Sequence, residues 1–349
     1  KNLFIVSNFL SQKLNNISVI SASKKYYKKF NKKITFITPK SYTWDAFGRR
    51  IKYLICLLIL LQEIFKNKNL VVFSFQANIY CILICKLFGI KIISRSNSSP
   101  SGWSKNFLKK FIFKTVLKMA DQILVNSLEF KKELKKKFNV NSVCIYNPLN
   151  TKEIISKSKK KININFFKKD TLNIVNVGRY VEQKDQITLL RAINSLKEKI
   201  RIRLIIMGKG KLEKNLQDYI LNNNLEKIIR LTNFSENPYA LINKAELFIL
   251  TSKYEGLPNV LLEALTLKKF IISSDCPTGP KEILLNGKGG LLFKTGNYKS
   301  LQTKISFYLN NKKKCLKMLK NSLQELKRFD SNINLKKYLN LTKIYLKID

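Results

Sequence analysis

The apolar positions of this chain alternate between two rhythms. Short β-branched runs at 17–21, 34–37, 70–74, 91–94 and 122–126 predict strands, and stretches with apolar residues three and four apart predict helices between them. Such alternation argues a parallel sheet, because each parallel strand needs a crossover helix to bring the chain back. Asn147-Pro148 closes this series, and the Lys-rich stretch 156–169 has no clear period, so it reads as a connector. A second series follows, with strands predicted at 172–177, 201–207, 228–231, 246–251 and 270–274 and a late short one at 289–293. From Tyr298 the pattern is helical, broken near 329–332 before a last amphipathic stretch at 333–348.

The predicted fold class is therefore α/β, with two doubly wound, Rossmann-like parallel-sheet domains facing one another across a cleft. Residues 1–150 make the first domain, 151–170 a linker, 171–328 the second domain, and 329–349 a C-terminal helix packing back on the first. Residues 1–15 read as an amphipathic helix without the charged, apolar and small-residue order of a signal peptide. The most apolar run, 51–65, falls short of the roughly 20 residues that span a bilayer and predicts a buried core helix. In 103–119, Phe107, Phe111, Val116 and Leu117 are set against Lys109, Lys110, Lys114 and Lys118. That pattern fits either a basic helix lying on an anionic membrane or a helix packed on its sheet with a solvated face.

Composition narrows the chemistry. The formal charge is +44, but only nine of the basic residues are Arg against 57 Lys. A phosphate or nucleic-acid binder leans on the bidentate Arg fork, so this excess reads as drift over the whole surface or as attraction to an anionic membrane. Six cysteines without CxxC spacing read as buried thiols in a reducing compartment. There is no His, which removes His-based general bases, triads and His metal ligands. No metal and no cofactor are expected.

Ligands in open α/β sheets bind beyond the carboxyl ends of strands, so the loops there are the ones to read. Gly178-Arg179 with Lys184 places two cations after a strand, either to clamp a diphosphate or simply as an exposed basic loop. Gly208-Lys-Gly210 permits close backbone approach but is equally a tight turn. Glu255-Gly256-Leu257-Pro258-Asn259-Val260 runs into Leu-Leu-Glu263-Ala, with Pro258 suited to the first helical position and the Gly-Leu amides at the positive end of a helix. Glu263 lies among apolar residues and there requires a hydroxyl or cation partner.

With these residues in place, 173–297 resembles the C-terminal domain of the large retaining GT-B glycosyltransferase family often called family 4. Gly178-Arg179 with Gln183-Lys184, the Glu255 and Glu263 pair, and Ser274-Asp275 through Gly279-Pro280-Lys-Glu282 carry the resemblance. It implies a nucleotide-diphosphate sugar donor, UDP by default, with Arg179 and Lys184 on the diphosphate. Glu255 would contact hydroxyls of the transferred sugar, Glu263 the ribose, and Gly256 to Val260 would give backbone contacts; Gly178 and Gly208 would line the donor site. By the same resemblance the enzyme retains configuration, the departing phosphate takes the acceptor proton, and 1–15 matches the helix that follows the family's first strand and Gly-rich turn.

The acceptor side has fainter candidates, Gln76 and Arg95, which follow strand ends in the first half. The implied partners are the nucleotide sugar, a glycan or lipid-linked acceptor in surface-polysaccharide synthesis, and an anionic membrane surface, with a cytoplasmic location peripheral to the inner membrane. Two other readings compete. A basic nucleic-acid-binding protein would use the charge and aromatics, but no nucleic-acid module is present and no such partner is expected. A GT-B enzyme acting on the nucleotide sugar itself, of epimerase type, would share the donor loops.

Overall fold

A computed structural model describes residues 2–39, 44, 47–97, 106–162 and 164–347. The chain divides into two compact units, Lys1–Pro148 with Ser331–Asp349, and Leu149–Asp330.

The first unit runs α1 (Asn2–Leu10), β1 (Ser18–Ile20), β2 (Thr35–Ile37), α2 (Arg49–Lys66), β3 (Val71–Ser74), α3 (Asn78–Leu87), β4 (Lys91–Arg95), α4 (Phe107–Met119), β5 (Gln122–Val125), α5 (Leu128–Phe138) and β6 (Val143–Cys144). Strands β3-β4-β5-β6 form a parallel sheet in that order, and β1 pairs with β2 in a separate parallel pair. Neighbouring residues of each strand point to opposite faces. Ile92, Ile123 and Val125 face the core shared with α2 to α5, and Ile93 and Leu124 face the other way. Helix starts are capped by local polar side chains: Asn106 accepts from the Lys109 amide ahead of α4, and Ser127 from the Phe130 amide ahead of α5.

The second unit runs α6 (Thr151–Ser158), β7 (Leu172–Val177), α7 (Gln186–Asn194), β8 (Ile202–Gly208), α8 (Glu213–Asn222), β9 (Ile229–Asn233), α9 (Tyr239–Lys244), β10 (Leu247–Leu250), α10 (Asn259–Thr266), β11 (Phe270–Ser274), α11 (Pro280–Ile283), β12 (Leu291–Phe293), α12 (Tyr298–Asn310) and α13 (Lys312–Gln324). Its six parallel strands lie in the order β12-β11-β10-β7-β8-β9. Helices cover both faces, so β10 and β11 are buried at every position; β10 reads as a continuous apolar run and β11 as one that ends in two buried serines. The chain builds outward from β7 through β8 to β9, then returns to the other side of β7 with β10. This reversal leaves a crevice beyond the carboxyl ends of β7 and β10. Finally α14 (Ser331–Leu346) joins the first unit, where Leu335 and Tyr338 pack with Val6 and Leu10 of α1 on Ile93 and Leu124.

Several expectations are corrected. The stretch 151–170, read as a linker, opens on α6, whose Ile154 is buried and which packs on α9 and α10 within the second unit. Strand β6 has two residues, too few to carry a period, and was not anticipated. The helix at 51–65 buries only one side: Ile55, Leu60 and Ile64 are inside, while Leu54, Leu58 and Phe65 are exposed. Residues 103–105 of the basic amphipathic stretch lie outside the described residues. Pro258 caps α10 from just outside, with φ −71° and ψ 103°, and the helix begins at Asn259.

Candidate active site

Strand β7 ends at Val177, and the next two loops fit together backbone against backbone. A Cβ on Gly208 would stand 2.0 Å from the Gly178 carbonyl oxygen, and one on Gly210 2.3 Å from that of Tyr180. Both glycines are therefore required for loop contact, beyond making a turn. Tyr180 locks the join: it is fully buried, and its hydroxyl lies 2.9 Å from the carbonyls of both Ile206 and Thr232. Burial, reinforced by the charge of Glu213, pushes this phenol up to about 12. Arg179, between these anchors, is exposed, and its guanidinium has no ion pair or hydrogen bond among the described residues.

The Lys184 stem passes directly over Gly178, with Cδ 3.4 Å from where a Cβ would sit. Its ammonium donates to Glu255 Oε1 at 2.6 Å, joining residues that follow β7 and β10. Ser252 Oγ donates to the same oxygen at 2.7 Å. Glu255 is 7% exposed, and its Oε2 carries no hydrogen bond among the described residues. A buried carboxylate with one oxygen fixed and the other open presents a directed acceptor to a ligand hydroxyl.

Two further sets of contacts hold these loops. Gln183 donates through Nε2 to the Tyr254 carbonyl at 2.9 Å, and Thr251 Oγ1 to that of Lys184 at 2.8 Å. The end of β11 and the loop after it clamp from the other side: Thr278 Oγ1 of the loop donates to the Glu255 carbonyl at 2.7 Å, and Ser274 Oγ, at the strand's end, to that of Ser252 at 2.6 Å. Gly279, at φ +86°, lies so close that a Cβ there would be 2.4 Å from the Gly256 oxygen. Cys276 in this loop is buried, and burial, then the negative charge of Glu255, pushes its thiol up to about 12, so it stays neutral.

Downstream, Gly256, Leu257 and Pro258 are buried, and Asn259 and Val260 open α10 half-buried. The first turn thus directs its dipole toward the same strand ends. Glu263, one turn further, is 5% exposed and accepts from the Tyr239 hydroxyl of α9 at 3.4 Å, the hydroxyl partner its apolar setting demands. The crevice therefore gathers Gly178, Lys184, Gly208, Glu255 and Gly256 to Val260 on interlocked loops. Ser252, Thr278 and Tyr239 escaped the sequence reading. Ser252 alone had a local signal, three residues before Glu255 in the same loop.

The acceptor-side candidates lie in the first unit. Gln76 is exposed in the loop after β3. Arg95 is corrected: it is fully buried, with Nε donating to the Tyr338 hydroxyl at 2.6 Å and its terminal nitrogens donating to Asn97 and Asn147. Its guanidinium also lies over Phe75. Each of its three nitrogens donates inside the first unit, holding α14 and the β-loops together, so it serves the core and not an acceptor.

Residues 157–325 match the family of glycosyl transferases group 1. The matched stretch lies within the second unit, Leu149–Asp330, which is thus similar to a glycosyltransferase group 1 domain. An uncharacterized glycosyltransferase of Methanocaldococcus jannaschii is 33% identical over 218 residues, 58% of this chain and 53% of that one. The N-acetylgalactosamine-N,N'-diacetylbacillosaminyl-diphospho-undecaprenol 4-alpha-N-acetylgalactosaminyltransferase of Campylobacter jejuni is 30% identical over 232 residues, covering 64% and 62%. The chain thus spans less than two thirds of the length of these relatives. Among solved structures, Anabaena HepE in complex with UDP superimposes with a TM-score of 0.77 at 15% identity, covering 98% of this chain and 95% of that one. Both units therefore have the parallel-sheet α/β fold found in GT-B glycosyltransferases.

Proposed function

We propose that the protein is a retaining, metal-independent glycosyltransferase that moves a sugar from a nucleotide-diphosphate donor, UDP-linked, to a glycan or lipid-linked glycan acceptor in surface-polysaccharide synthesis. The observation that carries this reading is the Lys184–Glu255 pair at the crevice between β7 and β10, with the exposed Arg179, whose guanidinium has no partner among the described residues, in the same loop as Lys184. Arg179 and the remaining ammonium hydrogens of Lys184 bind the diphosphate and stabilise the charge that grows on it as the bond from sugar C1 to phosphate oxygen breaks. Glu255 Oε2 takes hydrogen bonds from hydroxyls of the transferred sugar, Glu263 holds the ribose, and the amides of the first turn of α10 face the phosphates. The acceptor oxygen bonds to C1 on the face the phosphate leaves, and its proton passes to the departing phosphate oxygen.

Support for the donor comes from HepE, which was crystallised with UDP. Support for the acceptor comes from the Campylobacter relative, named as acting on a diphospho-undecaprenol-linked sugar. Six free thiols support a reducing, cytoplasmic setting. The test is a transfer assay of Arg179→Ala and Glu255→Ala with a thermal-shift panel of nucleotide sugars. Transfer falls by about 100-fold or more in both variants, and one donor selectively raises the melting temperature of the parent. Unchanged turnover in both variants, or no stabilisation by any nucleotide sugar, overturns the reading.

A further inference from the structure

The first unit carries a surface that the transfer chemistry leaves unused. Helix α3 packs against both α2 and α4, and the three bury Leu60 and Ile64, Ile82 and Cys85, and Val116 and Leu117 in one core. Each helix also presents a second apolar stripe away from that core. On α2 it is Ile51, Leu54, Leu58 and Phe65, from 39% to 68% exposed; on α3 it is Tyr80, Leu83 and Leu87, from 42% to 79%. On α4 it is Leu108, Phe111 and Ile112, from 50% to 68%. The spacings of three, four and seven align each set along one side of its helix, and Phe65 meets Phe88 edge-on at 5.2 Å, tying the end of α2 to that of α3. A helix apolar on both sides belongs in a core or against lipid. The neighbouring α5, seated on the same core, shows the solvated alternative: beyond Leu128, its exposed positions are Lys131, Lys132, Lys135, Lys136 and Lys137.

Charge decides what covers the stripes. Lys109, Lys110, Lys114 and Lys118 of α4 and Arg49, Arg50 and Lys66 of α2 are exposed. Helices α3 and α4 contain no acidic residue, and the nearby Glu63 and Asp121 are paired to Lys66 and Lys86 at 2.6 and 2.5 Å. A second copy of this chain would bring the same positive charge against itself, whereas an anionic bilayer complements it. Among the described residues no helix is long and apolar enough to cross a membrane, so contact is interfacial. We propose that the outer face of α2, α3 and α4 docks on an anionic lipid bilayer, its apolar stripes at the acyl boundary and its basic residues among the headgroups.

The proposal goes beyond the transferase reading, and its test reads binding alone. Flotation is measured with phosphatidylcholine vesicles and with vesicles that also contain phosphatidylglycerol. The parent floats with the anionic vesicles and is released by salt. Leu54→Ser/Leu58→Ser/Leu87→Ser/Phe111→Ser, all at exposed positions, weakens partition by at least about tenfold with an unchanged melting temperature. Lys109→Gln/Lys110→Gln/Lys114→Gln weakens it by about fivefold per lysine and flattens the salt dependence. No flotation of the parent at low salt, equal flotation with neutral vesicles, or undiminished binding of the two variants overturns the proposal. So does a parent dimer that the serine variant converts to a monomer, because a second copy then covers the face.

Discussion

Replacing Lys184 by methionine asks whether the Lys184–Glu255 pair is a structural strut as well as a charge device. Methionine approximates the stem that passes over Gly178 but removes the ammonium. The two side chains are only 15% and 10% exposed, so the Glu255 carboxylate is left in a nearly dry site with Ser252 Oγ as its remaining side-chain donor. Breaking a buried ion pair from one side costs about 3–5 kcal/mol, and the surviving Ser252 bond argues for the lower end, about 3 kcal/mol. A unit of this size shifts by roughly 2–4 °C per kcal/mol, so its melting temperature falls by roughly 6–12 °C. Adding Glu255→Gln removes the stranded charge, and the double variant regains at least about 2 kcal/mol. Denaturant unfolding of the parent, both single variants and the double variant gives this coupling energy directly. Transfer is not expected to return with stability, since the proposed reaction uses the cation and the carboxylate separately and each loss would cost about 100-fold or more. A coupling energy within about 0.5 kcal/mol of zero refutes the strut, and turnover restored in the double variant refutes the catalytic roles.

Three further outcomes follow from the same geometry. Gly279→Ala places a methyl against the Gly256 carbonyl at positive φ, costing roughly 2–4 kcal/mol and weakening nucleotide binding; unchanged urea unfolding and donor affinity would show that the β11 loop is no clamp. Arg95→Lys cannot keep the contacts to Tyr338, Asn97 and Asn147, so the first unit loses about 2–4 kcal/mol while acceptor KM stays constant; a raised KM at full stability would return Arg95 to the acceptor site. Asp185, which caps α7 in a left-handed conformation, has its carboxyl raised above the ordinary range chiefly by burial, against the Thr188 hydroxyl that lowers it. A raised carboxyl favours the folded state below its unfolded value, near pH 4, and that contribution is lost as pH rises through the folded value. Asp185→Asn therefore gains on the parent at neutral pH, and the gap closes on acidification; a gap that widens toward low pH contradicts this sign.

Much of the fold is legible in the order of residues. Strand β10 declares itself because burial on both faces demands an unbroken apolar run, β7 and β11 because most of their positions are apolar and β-branched, and the helices between them because one face must meet the sheet. The motifs beyond strand ends are legible too, since a strand followed by Gly178-Arg179 or, a few residues on, by Glu255-Gly256 marks a loop at the carboxyl edge. Strand β6 is silent because two residues carry no period.

Partnership is a different matter. Hydrophobic periodicity is a local property, fixed by which face a residue occupies, and it contains no statement of which distant residue will be met there. That Lys184 meets Glu255, 71 positions away, follows from the strand order that lays β10 beside β7. That Gly208 touches Gly178 follows from β8 lying on its other side. Arg95 shows the limit most plainly: by sequence it is a cation after a strand, a ligand-binding position, yet Tyr338 from the far end of the chain takes its Nε. The sequence alone determined the strands, the helices and the kinds of groups at their ends. The crossing order of the sheet and the return of α14 decided which of those groups face a crevice and which are spent inside, because only tertiary packing fixes what each buried charge finds as its partner.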